Sequence, residues 1–267
     1  MTNTPQVPLQ QPSGLSFQSM IKPVEGTEMP KSMAIMGVYK VGKTSLAASA
    51  ARIKRFQASG REVLILEAES GTASIAEDYP EVQMFSLTTH AGFQRAIDEL
   101  LTQEHNYGIL VIDTFDKFVE YAVHYFIDGA PDTRKAWGYL KDWIVDTTWR
   151  LHKSNIFTIF LFHEESERDE VTGQRFTTFK LPGGAKKDLG QIYDIISRLD
   201  IRMDDGGEPK RYLQLGPAVG QVTGSRYERK LPNAMVDPTM DQIFDLIAAR
   251  RPVDTPVTTD NTTTNNK

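Results

Sequence analysis

The sequence contains no cysteine among its 267 residues. A disulfide framework, a thiolate metal site and a cysteine nucleophile are therefore all excluded. No apolar run approaches the roughly 18 residues that a membrane-spanning helix needs, and the N-terminus lacks a charged segment followed by an apolar one. We therefore expect neither a membrane span nor a signal peptide, and the lack of cysteine fits a reducing cytoplasm.

The chain is also short of positive charge. Its 30 Lys and Arg residues are outnumbered by 35 Asp and Glu, which gives a formal net charge of −5. A strongly basic nucleic-acid-binding surface is thereby excluded, and any DNA contact would be a local patch. Hydrophobic residues make up 40% of the chain, so its length suffices for the core of one large domain.

The two ends of the chain differ in composition from the middle. Residues 1–27 are rich in Pro, Gln, Ser and Thr, and residues 251–267 are dominated by Pro, Thr, Asp and Asn. Such segments bury too little apolar surface to offset the entropy cost of ordering. We predict disordered ends and a single domain over residues 28–250.

A glycine-rich loop follows the first apolar segment, residues 32–36. The pattern G-x-x-x-x-G-K-[ST] is matched at every fixed position by Gly37-Val38-Tyr39-Lys40-Val41-Gly42-Lys43-Thr44. A helical pattern follows from Lys43 to about Ser59, and residues 62–69 read as a second strand. Strand, loop, helix and strand together predict a phosphate-binding loop.

The residue types of this loop suit a polyphosphate. Gly37 and Gly42 allow turns in which successive N–H groups point inward, and the helix that begins at Lys43 adds its positive N-terminal end. We expect the nucleotide-binding residues to run from Gly37 to Ser45. Lys43 is placed to reach the β- and γ-phosphates, and the Thr44 hydroxyl to hold Mg²⁺. Lys40 is either a further phosphate contact or a solvated loop charge.

Carboxylates end two predicted strands. Glu67 and Glu69 follow the apolar residues 63–66, and we interpret Glu69 as the general base and Glu67 as the more solvated strand-end charge. Asp113 follows the apolar residues 109–112, where a phosphate-loop protein places the acid that holds Mg²⁺, usually through water. The alternative is an Asp that caps the next helix, a role that Asp116 could fill instead.

A third buried strand, residues 156–162, ends at His163. A polar residue there can contact the γ-phosphate and sense hydrolysis, although an ordinary strand-end histidine is equally compatible with the pattern. Further along, Lys186 and Lys187 lie in a small, basic loop and Arg226 in a basic patch. Each could contact a phosphate backbone or a neighbouring subunit's nucleotide, or could be an ordinary surface charge.

The order of elements predicts an α/β fold. Continuous apolar strands that alternate with helices indicate a mainly parallel sheet with helices on both faces. Residues 195–203 and 211–215 predict a hairpin, which would add an antiparallel C-terminal edge.

In this order the motifs resemble those of RecA-like P-loop ATPases and, more narrowly, of phage-encoded AAA-type nucleotide-binding proteins associated with single-strand DNA annealing and recombination. The resemblance covers about residues 31–230. The resemblance rests on the loop from Gly37 to Thr44, the acidic segment 67–71, residues 111–114 and residues 162–164. It implies a RecA-like P-loop NTPase fold with ATP and Mg²⁺ as ligands.

The resemblance also implies roles and partners. Glu69 would activate water, Asp113 would be the Mg²⁺-associated acid and His163 the γ-phosphate sensor. A cation from an adjacent subunit would complete the site, with Lys186, Lys187 and Arg226 as candidates. The implied partners are single-stranded DNA, further copies in a ring or filament, and phage single-strand-binding or replication proteins, in the cytoplasm of a bacterial host.

Two other functions fit the sequence. One is a nucleotide-gated loader for replication proteins that binds no DNA itself, and the other is a small-molecule kinase, which would need an acceptor pocket. A signalling GTPase is disfavoured because the sequence has no N-K-x-D motif to read guanine.

Overall fold

The computed structural model describes residues 29–69, 75–182 and 184–249. The predicted disordered ends, residues 1–27 and 251–267, lie outside the described residues, as do the predicted domain limits at 28 and 250. The strands are β1 (Ser32–Gly37), β2 (Glu62–Glu67), β3 (Gln83–Ser86), β4 (Tyr107–Asp113), β5 (Phe157–Arg168), β6 (Arg175–Phe179), β7 (Ile195–Met203), β8 (Pro209–Gln214), β9 (Gly224–Ser225) and β10 (Ala234–Val236).

The helices are α1 (Lys43–Ala48), α2 (Lys54–Ala58), α3 (His90–Thr102), α4 (Phe115–Ile127), α5 (Thr133–Lys153), α6 (Ala185–Ile192) and α7 (Met240–Ala248), with a 3₁₀ turn at Ser49–Arg52. None of the helices in the described part of the chain is both long and apolar enough to cross a membrane.

The sheet confirms the predicted architecture. Its parallel part has the order β7-β1-β5-β4-β2-β3, so the first strand lies between two strands that come much later in the sequence. The hairpin of β7 and β8 continues into β10 and forms the antiparallel C-terminal edge. The β3 strand lies at the opposite edge, where residues 82–87 predict a short edge strand.

Each central strand is buried on both faces. In β1, Ala34 and Met36 pack into a core with residues of α3, α4, α5 and α6. Met33 and Ile35 point the other way, into a core with residues of α1 and α7. Side chains alternate along a strand, so an uninterrupted apolar run supplies both cores and requires helices on both faces.

The predicted continuous helix from Lys43 to Ser59 is wrong, because it breaks into α1, the 3₁₀ turn and α2. The Ser49 hydroxyl donates to the Leu46 carbonyl and accepts a hydrogen bond from the N–H of Met240 in α7. A serine that bonds back to the preceding turn bends a helix. Ile53 then takes an extended backbone and is buried in the core. Gly60, with φ 65°, follows the end of α2.

Candidate functional site

The predicted site residues meet at the carboxyl-terminal edge of the parallel sheet. Gly37, the last residue of β1, is paired in register with His163 of β5. Glu67, the last residue of β2, is paired with Asp113 of β4. The carboxyl ends of strands are where open α/β sheets bind ligands, so the strand register alone brings these four residues to one edge.

The loop after β1 has a backbone that its glycines permit. Gly42 has φ 97°, in the left-handed region, and directly precedes α1. At Gly37 a Cβ would lie 2.5 Å from the carbonyl oxygen of Leu199 in β7, so a larger residue would push the loop off the sheet. Lys40 also has a positive φ, 62°. Alternating backbone conformations of this kind turn successive N–H groups inward and create an anion-binding concavity.

The Lys43 amine lies inside this loop. It donates hydrogen bonds of 2.9 Å to the carbonyl oxygens of Gly37 and Val38, and the residue is only 6% exposed. Burial lowers its pKa, against the opposing effect of nearby carboxylates, chiefly Asp113 and then Asp116. The carboxylates thus favour the charged form of the amine and burial disfavours it.

The Thr44 hydroxyl donates a 2.6 Å hydrogen bond to Oδ2 of Asp113. Burial raises the pKa of Asp113, an effect that the bond from Thr44 and the charge of Lys43 oppose. A hydroxyl and a carboxylate in contact are the hard oxygen donors that Mg²⁺ prefers. Within the described residues no group of three or more His, Cys, Asp or Glu side chains could hold a metal ion.

The two glutamates at the end of β2 differ from the prediction in their exposure. Glu67, which we expected to be the more solvated, is 3% exposed, and its charge raises the pKa of Asp113. Glu69 lies beyond the strand end and is exposed. The backbone hydrogen bonds of this strand end with the Glu67 carbonyl, which accepts from the N–H of Leu87, and with the Ala68 N–H, which donates to the Asp113 carbonyl. The role of Glu69 as general base stays a prediction.

His163 is buried against Asp116 of α4. The Asp116 carboxylate accepts from the backbone N–H of His163 at 3.0 Å and bonds Nδ1 of its ring at 2.8 Å. The Tyr39 ring stacks on the imidazole, with centroids 3.9 Å apart. Thr114, not Asp116, is the residue that precedes α4, so the predicted capping role for Asp116 is wrong.

The remaining loop residues divide between core and rim. Val41 is 2% exposed and packs into the core on the α1 side, while Ser45 is half-buried in the first turn of α1. Val38 and Tyr39 are 48% and 65% exposed, so they form the solvent-facing rim of the loop.

The three predicted basic residues, Lys186, Lys187 and Arg226, differ in the partners of their charged groups. The Lys186 amine is hydrogen-bonded to Glu165 and Glu167 of β5. Arg226 pairs with Asp194 at 2.9 Å, and Asp194 also accepts from the N–H of Lys31, at the amino-terminal end of β1 and away from the loop. Lys187 is exposed, and its amine has no partner among the described residues. Their predicted role in a neighbouring subunit's site stays a prediction.

Sequence reasoning missed Arg211 of β8. A Cβ on Gly42 would lie 3.3 Å from both Cδ and Nη1 of Arg211, so this side chain rests against the loop. The guanidinium makes no ion pair or hydrogen bond within residues 29–69, 75–182 and 184–249. No motif signals Arg211, because the hairpin register alone sets its position.

Comparisons with known proteins agree with this geometry. The model of the AAA domain family matches residues 29–227. No curated protein matches the chain. Among solved structures, a KaiC-like protein from the hyperthermophilic archaeon Pyrococcus horikoshii OT3 is 16% identical, over 70% of this chain and 79% of that one, with a TM-score of 0.42. The fold is α/β with a mainly parallel sheet, and the chain belongs to the AAA domain family.

Proposed function

We propose that the chain is a Mg²⁺-dependent ATPase that acts on single-stranded DNA in phage recombination, annealing or repair. The proposal of ATPase activity rests on the 2.6 Å hydrogen bond between the Thr44 hydroxyl and the Asp113 carboxylate, beside the buried amine of Lys43. These are the groups with which P-loop enzymes hold Mg²⁺ and the β- and γ-phosphates. The DNA part rests on the resemblance to phage AAA-type proteins.

The chain's own residues would act mainly by positioning. Lys43 and the N–H groups of the loop would bind the phosphates and stabilise negative charge as the γ-phosphoryl leaves. Thr44 and Asp113 would hold Mg²⁺, which neutralises charge on the phosphate oxygens when it is bound. Glu69 would take the proton of the attacking water.

The DNA and subunit contacts depend on the charges of the chain. The chain is acidic overall, and the ion pairs of Lys186 and Arg226 occupy two of the three predicted cations. These features favour the second candidate, a nucleotide-gated loader that works through a protein partner. Among the predicted cations Lys187 is the best placed for a contact in a ring or filament, since it is exposed.

The test is the rate of phosphate release from ATP at low salt, with and without single-stranded DNA. Lys43→Ala provides the blank, and Lys54→Ala, which removes an exposed helix lysine, is the matched control. We expect hydrolysis in the wild type and in Lys54→Ala, and stimulation by DNA. Equal rates in wild type and Lys43→Ala would refute the ATPase, whereas DNA-independent hydrolysis would replace the DNA role with the loader.

A further inference from the structure

His163 is held by one carboxylate at two points. Oδ1 of Asp116 accepts from the backbone N–H of His163 at 3.0 Å, and Oδ2 lies 2.8 Å from ring Nδ1. Both residues are buried, at 6% and 4% exposure. Because one carboxylate is hydrogen-bonded to both the backbone N–H and the ring of His163, it fixes the orientation of that ring about its side-chain bonds.

The same contact fixes which ring nitrogen carries hydrogen. An ionised carboxylate only accepts hydrogen bonds, so Nδ1 of His163 must donate to Asp116. Nε2 is then the ring nitrogen that Asp116 leaves available. The Tyr39 ring covers one face of the imidazole at 3.9 Å and 28°, which adds a contact from the phosphate loop itself.

The pair lies within the electrostatic field of the phosphate site. The Asp116 carboxylate raises the pKa of Lys43, against the larger lowering by burial, so the pair interacts with the residue assigned to the phosphates. His163 also stands opposite Gly37, where the loop begins. A change in the orientation of the His163 ring would therefore affect the glycine-rich loop that begins at Gly37.

We propose that Asp116 is a positioning residue for ATP hydrolysis: it holds the His163 imidazole in one orientation and in the Nδ1–H tautomer, with Nε2 left for the transferred phosphoryl group. The inference rests on the proposed ATPase function. It assigns to the first turn of α4 a role in the reaction that the sequence pattern did not indicate.

Asp116→Asn separates this role from a structural one. The peptide N–H of His163 is always a donor, so the amide oxygen of the new side chain stays opposite it. The amide NH₂ then faces Nδ1, which must accept, and the hydrogen moves to Nε2. The substitution thus keeps the shape and both hydrogen bonds but reverses the tautomer.

The first readout is the ¹⁵N spectrum of histidine-labelled protein. The chain has five histidines, and the signal of His163 is assigned by its loss in His163→Asn. We expect hydrogen on Nδ1 in the wild type and on Nε2 alone in Asp116→Asn. An unchanged tautomer would overturn the proposal. His124 and Asp128 form an exposed pair of the same kind at 2.9 Å, so Asp128→Asn is the matched control.

The second readout is steady-state ATP hydrolysis. We expect kcat of Asp116→Asn to fall about 10-fold or more, as for a misplaced proton-transfer or hydrogen-bonding group, with KM within about 3-fold. Asp128→Asn should keep the wild-type kcat. A kcat for Asp116→Asn within about two-fold of the wild type would overturn the proposal.

A double-substitution cycle distinguishes a role of Asp116 through His163 from a general folding defect. If Asp116 acts through His163, adding Asp116→Asn to His163→Asn should lower kcat by less than about two-fold. Equal losses in both backgrounds would mean that Asp116 acts elsewhere, and would overturn the proposal. A wild-type rate no higher than Lys43→Ala would overturn the ATPase and the kinetic role together, while the spectrum would still decide the tautomer on its own.

Discussion

The Thr44 hydroxyl and the Asp113 carboxylate are 2.6 Å apart although 69 positions separate them in the chain. Thr44 is the second residue of α1 and Asp113 is the last residue of β4, so this contact joins the end of the glycine-rich loop to the carboxyl-terminal end of β4. The two residues become neighbours because β5 alone separates β4 from β1.

Asp113→Asn should lower ATP hydrolysis by about 100-fold or more, since the amide can still accept from Thr44 but no longer carries the charge that would hold Mg²⁺. The measurement is phosphate release across a Mg²⁺ titration. Asp142→Asn, at an exposed position of α5, is the control and should behave as the wild type. An unchanged rate with unchanged Mg²⁺ dependence would remove Asp113 from the site.

Gly42→Ala should abolish tight nucleotide binding. Its φ of 97° is strained for alanine by about 1–3 kcal/mol, and the new methyl group would press on Arg211 at 3.3 Å. Equilibrium binding of a fluorescent ATP analogue measures the effect. Gly138→Ala is the matched control, because Gly138 lies in α5 with nothing within 4 Å of the added Cβ. It should bind normally and be slightly more stable, by up to about 1 kcal/mol.

The Arg211 side chain rests against Gly42, so we expect its guanidinium to donate a hydrogen bond to a bound phosphate. Arg211→Ala should then weaken nucleotide binding about 10-fold, as expected for the loss of such a bond from a charged donor. Arg211→Lys should restore part of the affinity, because the charge remains but the planar fork does not. Arg202→Ala serves as the control, since Arg202 lies on the same edge of the sheet but stacks on Tyr212. Equal affinities for wild type and Arg211→Ala, at low and high salt, would show that Arg211 does not contact the phosphates.

Stability should fall on mild acidification because of His152. Its ring bonds the Ser32 hydroxyl at 2.8 Å, and burial lowers its pKa. The folded chain therefore binds fewer protons than the unfolded chain below the unfolded value of about 6.5, and stability decreases as the pH falls from there toward the folded pKa.

Urea unfolding at pH 7.5 and 5.5 measures this dependence. His152→Asn should show a smaller loss of stability between the two pH values, because its side chain takes up no proton there. His124→Asn, at an exposed position, should lose as much as the wild type. An identical pH dependence in the wild type and His152→Asn would contradict the assignment.

The sequence predicted those parts of the site that depend on local pattern. Gly42, Lys43 and Thr44 form a contiguous motif, and Asp113 ends an apolar run that fits a single buried strand. The sheet class followed from the same apolar runs, since strands buried on both faces need helices on both sides. These features depend on residues close to one another in sequence.

The features that sequence reasoning missed depend on distant contacts. Arg211 reaches Gly42 only because β8 pairs with β7, which pairs with β1. Asp116 meets His163 through the packing of α4 on β5, and Ser49 breaks the first helix partly through its bond to Met240. The exposure of Glu67 and Glu69 turned on where β2 ends, which no local pattern marks.

The position of β1 has a consequence for synthesis of the chain. β1 carries the phosphate loop, yet its two neighbours, β5 and β7, begin at Phe157 and Ile195. The growing chain therefore makes its most recognisable motif early, but cannot support it until most of the domain has left the ribosome. Because such non-local pairing is slow to form, we expect the loop to become able to bind a nucleotide only late in the maturation of this protein, after β5 and β7 have paired with β1.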